Sequence, residues 1–248
     1  MIIIIKFEYI CTSKISSNDM SKCEHCIIRE FSNLKSLTKE ELKAISDHKD
    51  SITFKKGEIL FSEGNKLSGV FCIKEGACKL TRLSANGKEQ IIRFIKGGDM
   101  LGYRSVLSEE PVTLTVTALK DMRACFIPKK EIFDSIKENS KFSLDMMKAV
   151  CHDLKDANVT LTNMAQKSVR ERLADTLIFL KEIFGQDREG YLDIILTREE
   201  YSSVIGTATE SAIRLLSEFK KKNLIGLDGK KVKILNEVEL LKISQGFQ

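Results

Sequence analysis

The chain has 248 residues, 42% hydrophobic and 30% charged, with a formal net charge of +5, which is an ordinary soluble globular composition and excludes a disordered or collagen-like chain. That charge permits a nucleic-acid partner without demanding one, and no apolar run reaches the ~18 residues of a membrane span, so no membrane partner is expected. Seven cysteines without paired spacing read as the reduced thiols of a cytoplasmic protein.

At the N-terminus, Met1–Ile5 is apolar but short, Lys6 interrupts it, and no basic residue precedes it, so it does not read as a secretory signal. Met20 opens MSKCEHC, a natural-looking beginning, and residues 1–22 are read as an arm or an over-extended start. Cys23 and Cys26 form a CxxC, a spacing that suits one metal, cluster iron, a redox pair or two ordinary reduced thiols. Thr38 and Glu41 have the spacing of a capping box, with Leu37, Leu42 and Ile45 as the apolar face of the helix they start.

From Ser51 to Phe126 short β-rich runs alternate with glycines: Glu58–Phe61, Gly69–Ile73, Ala77–Leu83 and Gln90–Ile95. Val112 to Ala118 alternates apolar residues with threonines, the period of a half-buried strand. Many short strands at roughly 8–12-residue spacing imply a double-sheet roll, jelly-roll-like, or a barrel. Pro128–Ile136 begins a helical region. Asn139–Met164 then places Met147, Leu154 and Leu161 seven apart, with Val150, Ala157 and Met164 three residues after each. These are the a and d positions of a coiled-coil seam, and they predict a homodimer. Lys167–Phe184 is a second amphipathic helix, with Val169, Leu173, Leu177 and Leu180 on one face. Tyr191–Leu196 is expected to be a strand.

Arg198 to Lys222 reads as two short helices about a tight turn. Tyr201, Val204 and Ile205 share a face of the first, Gly206 allows the turn, and Thr209 is expected to cap the second. Ala212, Leu215, Leu216 and Phe219 form the second helix's buried stripe, which leaves Glu210, Ser211, Ile213 and Arg214 facing outward near its start. A helix-turn-helix needs that layout, because the recognition helix offers its first turns to base edges of double-stranded DNA. Lys220, Lys221 and Lys222 add positive charge at the helix end. Asp228-Gly229 between apolar runs signals a hairpin, with Lys231 and Lys233 on one face and Val232 and Ile234 on the other. Helix-turn-helix plus basic hairpin makes a winged helix. Thr207, Thr209, Lys230 and Lys231 complete the expected DNA-facing set.

The expected class is therefore α+β: a β-roll over 23–136, a dimerisation helix over 137–165 and a winged-helix DNA-binding domain over 166–248. Three scattered histidines and no Walker-type phosphate loop argue against an enzyme, so no catalytic residue is assigned. The alternative is a regulatory protein that acts through protein contacts.

This order of parts resembles the Crp/Fnr superfamily of bacterial transcription regulators, over roughly Cys23 to the C-terminus. The resemblance rests on Gly57–Gly64 (GxxxxxEG), on Gly97-Gly98-Asp99-Met100-Leu101-Gly102, and on Thr209–Leu216, which matches the family's ExxxRLL core. It implies that Glu210 and Arg214 read bases with Thr209 and Ile213 beside them, and that RNA polymerase is a partner. Cyclic-nucleotide binders of the family carry Gly-Glu and, about ten residues on, Arg-Ser or Arg-Thr. Here those positions hold Gly102-Tyr103 and, near the second, Val112-Thr113, so the resemblance implies no cAMP binding of the standard kind; Arg104 is the one nearby substitute. The oxygen-sensing branch holds an iron–sulfur cluster on four Cys. Cys23, Cys26 and Cys125 match three of them, and the remaining position falls at Ser32. A cluster, a thiol redox switch, and another ligand or none all stay open.

Overall fold

A computed structural model describes residues 33–85 and 87–247. Cys23 and Cys26 therefore lie outside the described residues, as do the N-terminal arm and Ser32. The described chain forms two compact units, one of residues 33–82 and 93–154, the other of residues 83–92 and 155–247.

In the first unit, α1 (Lys39–His48) opens on the expected box: the Thr38 hydroxyl accepts from Glu41 N while the Glu41 carboxylate accepts from Thr38 N. Leu42 and Ile45 are buried. The roll is built from β1 (Asp50–Phe54), β2 (Ile59–Phe61), β3 (Gly69–Glu75), β4 (Ala77–Leu83), β5 (Glu89–Lys96), β6 (Met100–Leu101), β7 (Thr115–Ala118) and β8 (Met122–Pro128). Two four-stranded sheets result, ordered β1-β8-β3-β6 and β2-β7-β4-β5. The pairs β1–β8, β3–β8, β3–β6, β2–β7 and β4–β7 are antiparallel. Leu60, Val70, Phe71, Ile73, Leu80, Val116 and Ile127 are buried in its core.

One strand is shorter than its pattern. Burial alternates from Val112 onward, but the ladder starts only at Thr115. The backbone of Val112 is already committed to the turn after β2: its N–H donates to Asn65 O and its carbonyl accepts from Gly64 N.

After the short helix α2 (Tyr103–Ser108), α3 (Lys129–Glu138) and the 27-residue α4 (Ser140–Gln166) follow. The first unit contains α4 to Leu154 and the second its remainder. Phe142 and Met146 join the roll core, so they set which face of the early helix turns inward. The predicted seam lies elsewhere: Met147 (58% exposed), Val150 (44%), Leu154 (64%) and Leu161 (70%) are all uncovered in the single chain. Ala157 is exposed and Met164 half-buried.

The second unit holds α5 (Val169–Phe184), α6 (Arg198–Ile205), α7 (Thr209–Lys221), β9 (Ile225–Asp228), β10 (Lys231–Ile234) and α8 (Glu237–Ser244). Capping boxes start α5 (Ser168 with Glu171) and α6 (Thr197 with Glu200). Leu173, Leu177, Leu180, Tyr201, Val204, Ile205, Ala212, Leu216, Phe219 and Val232 are its buried core. The helix α8, capped by Asn236, packs on α5 through this unit's apolar interior and was not anticipated from the sequence.

Two segments depart from their sequence pattern. Tyr191–Leu196 is not a strand; it makes only isolated bridges, Gln186 to Leu192 and Tyr191 to Lys233. The Asp187 carboxylate accepts from the N–H of both Glu189 and Tyr191 and holds the segment in a loop, although Leu192, Ile194 and Leu196 still alternate into the core. Thr209 is not the cap of α7. The cap position is Ala208, without a side-chain bond, and Thr209 is the first helical residue, its hydroxyl 3.2 Å from that of Ser202.

Candidate nucleic-acid interface

The turn between α6 and α7 determines where the recognition face points. Gly206 ends α6 in the left-handed region (φ +63°), with its N–H donating to Ser202 O. A Cβ there would meet the Met164 sulfur at 3.4 Å, an ordinary contact, so the glycine is required by its dihedral and not by crowding. Gly206→Ala is expected to cost about 1 kcal/mol, the price of a left-handed non-glycine residue. Thermal unfolding followed by circular dichroism checks this, and an unchanged midpoint would mean that the turn relaxes.

Arg172 braces the same turn from behind. Its guanidinium donates to four backbone carbonyls: Ile205 (2.7 Å) and Gly206 (3.4 Å) at the turn, Met164 (3.3 Å) and Lys167 (2.6 Å) at the end of α4. Burial pulls its pKa down and the Glu171 carboxylate opposes this. One fork-shaped side chain thus satisfies the orphan carbonyls that close α4 and α6. Nothing in the sequence near Arg172 announces this, because the acceptors are distant in the chain.

In α7 the side chains separate by face. Ala212, Leu216 and Phe219 are buried, and Leu215, expected in the same stripe, is half-buried. Glu210, Ile213, Arg214 and Ser217 are exposed on the other side, with Thr207, Thr209 and Ser211 half-exposed beside them. Arg214 Nη2 donates to Ser211 Oγ (3.2 Å), a bond to a neutral partner that leaves the rest of the fork for another acceptor. Glu210 lies in the first turn, where the helix dipole favours a carboxylate. At the far end Lys222 pairs with Glu218 (2.9 Å), which holds the Glu218 carboxyl below its usual pKa, and Arg170 approaches the same carboxylate (3.5 Å). Lys220 and Lys221 are exposed beyond them.

The wing is a two-residue hairpin, Gly229-Lys230, closing the register pair Asp228–Lys231. Gly229 takes positive φ (+53°) at the first turn position, which the tight primed turns demand. Arg198, in the first turn of α6, donates to Gly229 O (2.8 Å), so the wing tip and the helix-turn-helix are tied together. Lys230 is exposed at the tip. Lys231 has internal partners: its ammonium lies 3.3 Å from Glu189, 3.6 Å from Asp187 and 5.0 Å from the centre of the Tyr191 ring. The bond to Glu189 raises its pKa.

Cys72, Cys125 and the roll turn belong to the first unit. Cys125 is in β8, directly opposite Cys72 of β3, and neither is disulfide-bonded. Among the described residues no group of three or more His, Cys, Asp and Glu is arranged to hold a metal ion. At the roll turn Tyr103 is buried, and Arg104 donates to Thr113 Oγ1 (3.0 Å) and lies 3.6 Å from Glu110. The one arginine of this turn is thus directed at a hydroxyl and a carboxylate of its own chain.

Comparison with known proteins agrees with this layout. The family profile for the cyclic nucleotide-binding domain matches residues 51–139, and that for the Crp-like helix-turn-helix domain matches residues 171–243. The transcriptional activator protein anr of Pseudomonas aeruginosa is 26% identical over 239 residues, covering 95% of this chain and 97% of that protein. The fumarate and nitrate reduction regulatory protein of Vibrio cholerae is 27% identical over 229 residues, 90% of each chain. A solved Crp/Fnr-family regulator from Eubacterium rectale superposes with a TM-score of 0.71 at 22% identity, over 84% of this chain and 95% of that one, a likeness of fold. No helix among the described residues is long and apolar enough to cross a membrane. With a cyclic nucleotide-binding-type roll followed by a Crp-like helix-turn-helix, the chain belongs to the Crp/Fnr family of transcription regulators.

Proposed function

We propose that this protein is a sequence-specific regulator that binds an inverted-repeat DNA operator as a homodimer and answers a signal other than cAMP. The observation that carries the reading is the division of α7: three side chains locked in the core hold the helix, and Glu210, Ile213 and Arg214 face outward within its first two turns. Arginine donates bidentately to guanine, glutamate accepts from the cytosine amino group, and an aliphatic side chain suits the thymine methyl. Lys230 and the lysines closing α7 supply phosphate contacts, and Lys231 joins them by leaving Glu189. Selection from a randomised duplex library should return an inverted repeat with half-sites about one helical turn apart, 10–10.5 base pairs centre to centre. Recovery of no preferred sequence would sink the reading and favour a protein-contact role for the same face.

Ile213 is 44% exposed and lies outside the buried core, so it has apolar surface to offer a thymine methyl. Replacing thymine by deoxyuridine, one position at a time, should weaken wild-type binding at one base pair per half-site by about 0.8 kcal/mol, the worth of one methyl-sized group. Ile213→Ala should be indifferent to that replacement. Equal sensitivity in the two proteins would remove Ile213 from the reading set.

The signal is the finer part of the proposal. The family's phosphate position near Val112-Thr113 holds no arginine, and Arg104, the one arginine of the turn, donates to Thr113 and lies beside Glu110. Calorimetric titration with cAMP should show no micromolar binding; a cAMP-dependent gain in operator affinity would overturn this. If Cys23, Cys26 and Cys125 hold iron, anaerobic purification will give iron and a broad visible absorption band, and protein without either after reconstitution ends that idea.

A further inference from the structure

The two cysteines of the β3–β8 ladder make a pair that nothing in the sequence announces. Cys72 and Cys125 are direct register partners on antiparallel strands, so their side chains leave the same face of the sheet. Directly opposed antiparallel residues have Cα atoms about 4.5–5.5 Å apart, inside the roughly 4.4–6.8 Å that a disulfide spans. Both are reduced and nearly buried, Cys72 at 7% and Cys125 at 6% exposure. The row continues to Ser51 on the edge strand β1, which is half-exposed, so the pair lies one strand in from solvent. The other side of the row is Met100 of β6, fully buried.

We propose that Cys72 and Cys125 are a redox-active dithiol, closing to a cross-strand disulfide when the protein meets a low-molecular-weight disulfide as oxidant. The thiolate of one cysteine attacks the small disulfide, breaking its S–S bond and releasing one thiolate. The second cysteine, as thiolate, attacks the protein-side sulfur of that mixed disulfide and releases the other. Two electrons pass from the cysteines to the oxidant, two protons end on the released thiols, and one S–S bond replaces another. Opposed Cβ atoms start about 4.5–5.5 Å apart and a relaxed disulfide wants roughly 3.5–4.5 Å, so closure draws the strands together. A bond made under that tension is readily reduced, which suits a reversible site and not a permanent staple. The chemistry does not rest on the DNA-binding reading, and the test below uses no DNA, so those two fail separately; Cys125 cannot serve iron and this pair at once, so purified protein with iron on Cys125 would overturn the dithiol.

The full chain, reduced and freed of reductant, is incubated with oxidised glutathione or with the smaller cystamine, alkylated and mapped by non-reducing peptide mass spectrometry. The expected result is one intrachain link joining the Cys72 and Cys125 peptides, with the loss of two titratable thiols, and full reversal by dithiothreitol. Cys72→Ser should abolish the link and leave Cys125 alkylated or mixed with the small thiol; Cys125→Ser should do the converse. Circular dichroism of both variants establishes that they fold. Oxidation that links Cys125 to any other cysteine, or that leaves both thiols free with both oxidants, overturns the proposal.

Discussion

Replacing Leu154 and Leu161 together by glutamate is expected to turn the protein into monomers and to remove tight operator binding. Both side chains are largely exposed in the single chain, at 64% and 70%, so neither is holding its own fold together. Each leucine buried against a partner is worth about 1.5–3 kcal/mol, and four are lost from the pair of chains, roughly 6–12 kcal/mol in all. A nanomolar dimer is held by about 12 kcal/mol, so the loss is enough to dissociate it before the repulsion of the new carboxylates is counted. Monomers lose the simultaneous grip on two half-sites, and operator affinity falls to that of one recognition helix. Sedimentation velocity and operator titration check the two halves of this result, with an unchanged thermal midpoint showing that the monomer is intact. A dimer that persists would place the interface away from this stripe; the exposed Leu144 (48%), outside the heptad positions, would then be the first residue to examine.

Arg214→Ala is expected to cost about 1–3 kcal/mol per half-site, hence roughly 30- to 20,000-fold in affinity for a dimer on its preferred operator. Discrimination at one base pair per half-site should relax at the same time. The side chain is exposed and donates to the Ser211 hydroxyl, a contact within its own helix, so the loss will not come from unfolding. Binding to unrelated DNA should fall much less, because phosphate contact supplies most of it. Lys230→Ala makes the contrast: all sequences should weaken alike, and the dependence of log affinity on log salt should flatten by about one contact per chain. Measuring both variants at two salt concentrations separates base reading from charge. If Arg214→Ala keeps the wild-type sequence preference, the recognition helix is wrongly assigned.

What the amino-acid sequence determined by itself is what nearest neighbours in the chain decide. Three capping boxes, Thr38–Glu41, Ser168–Glu171 and Thr197–Glu200, formed because donor and acceptor are three residues apart and close before anything else packs. The two helices about Gly206 and the two faces of α7 followed from spacing and from one residue's freedom to take positive φ. The uncovered apolar stripe of Met147, Val150, Leu154 and Leu161 on α4 was legible for the same reason, since a heptad spacing is a property of one helix. The tertiary structure decided wherever a distant group competed for the same atom. The Thr209 hydroxyl met Ser202 and did not cap its helix, and the Asp187 carboxylate claimed the backbone of a segment patterned as a strand. Lys231 found Glu189 and Asp187, which no local pattern links to it. Arg172 took four carbonyls from two other helix ends. Cys72 became the partner of Cys125 only through the register of two strands, and register is set by the packing of both faces across the whole sheet, a quantity that no short window of sequence contains.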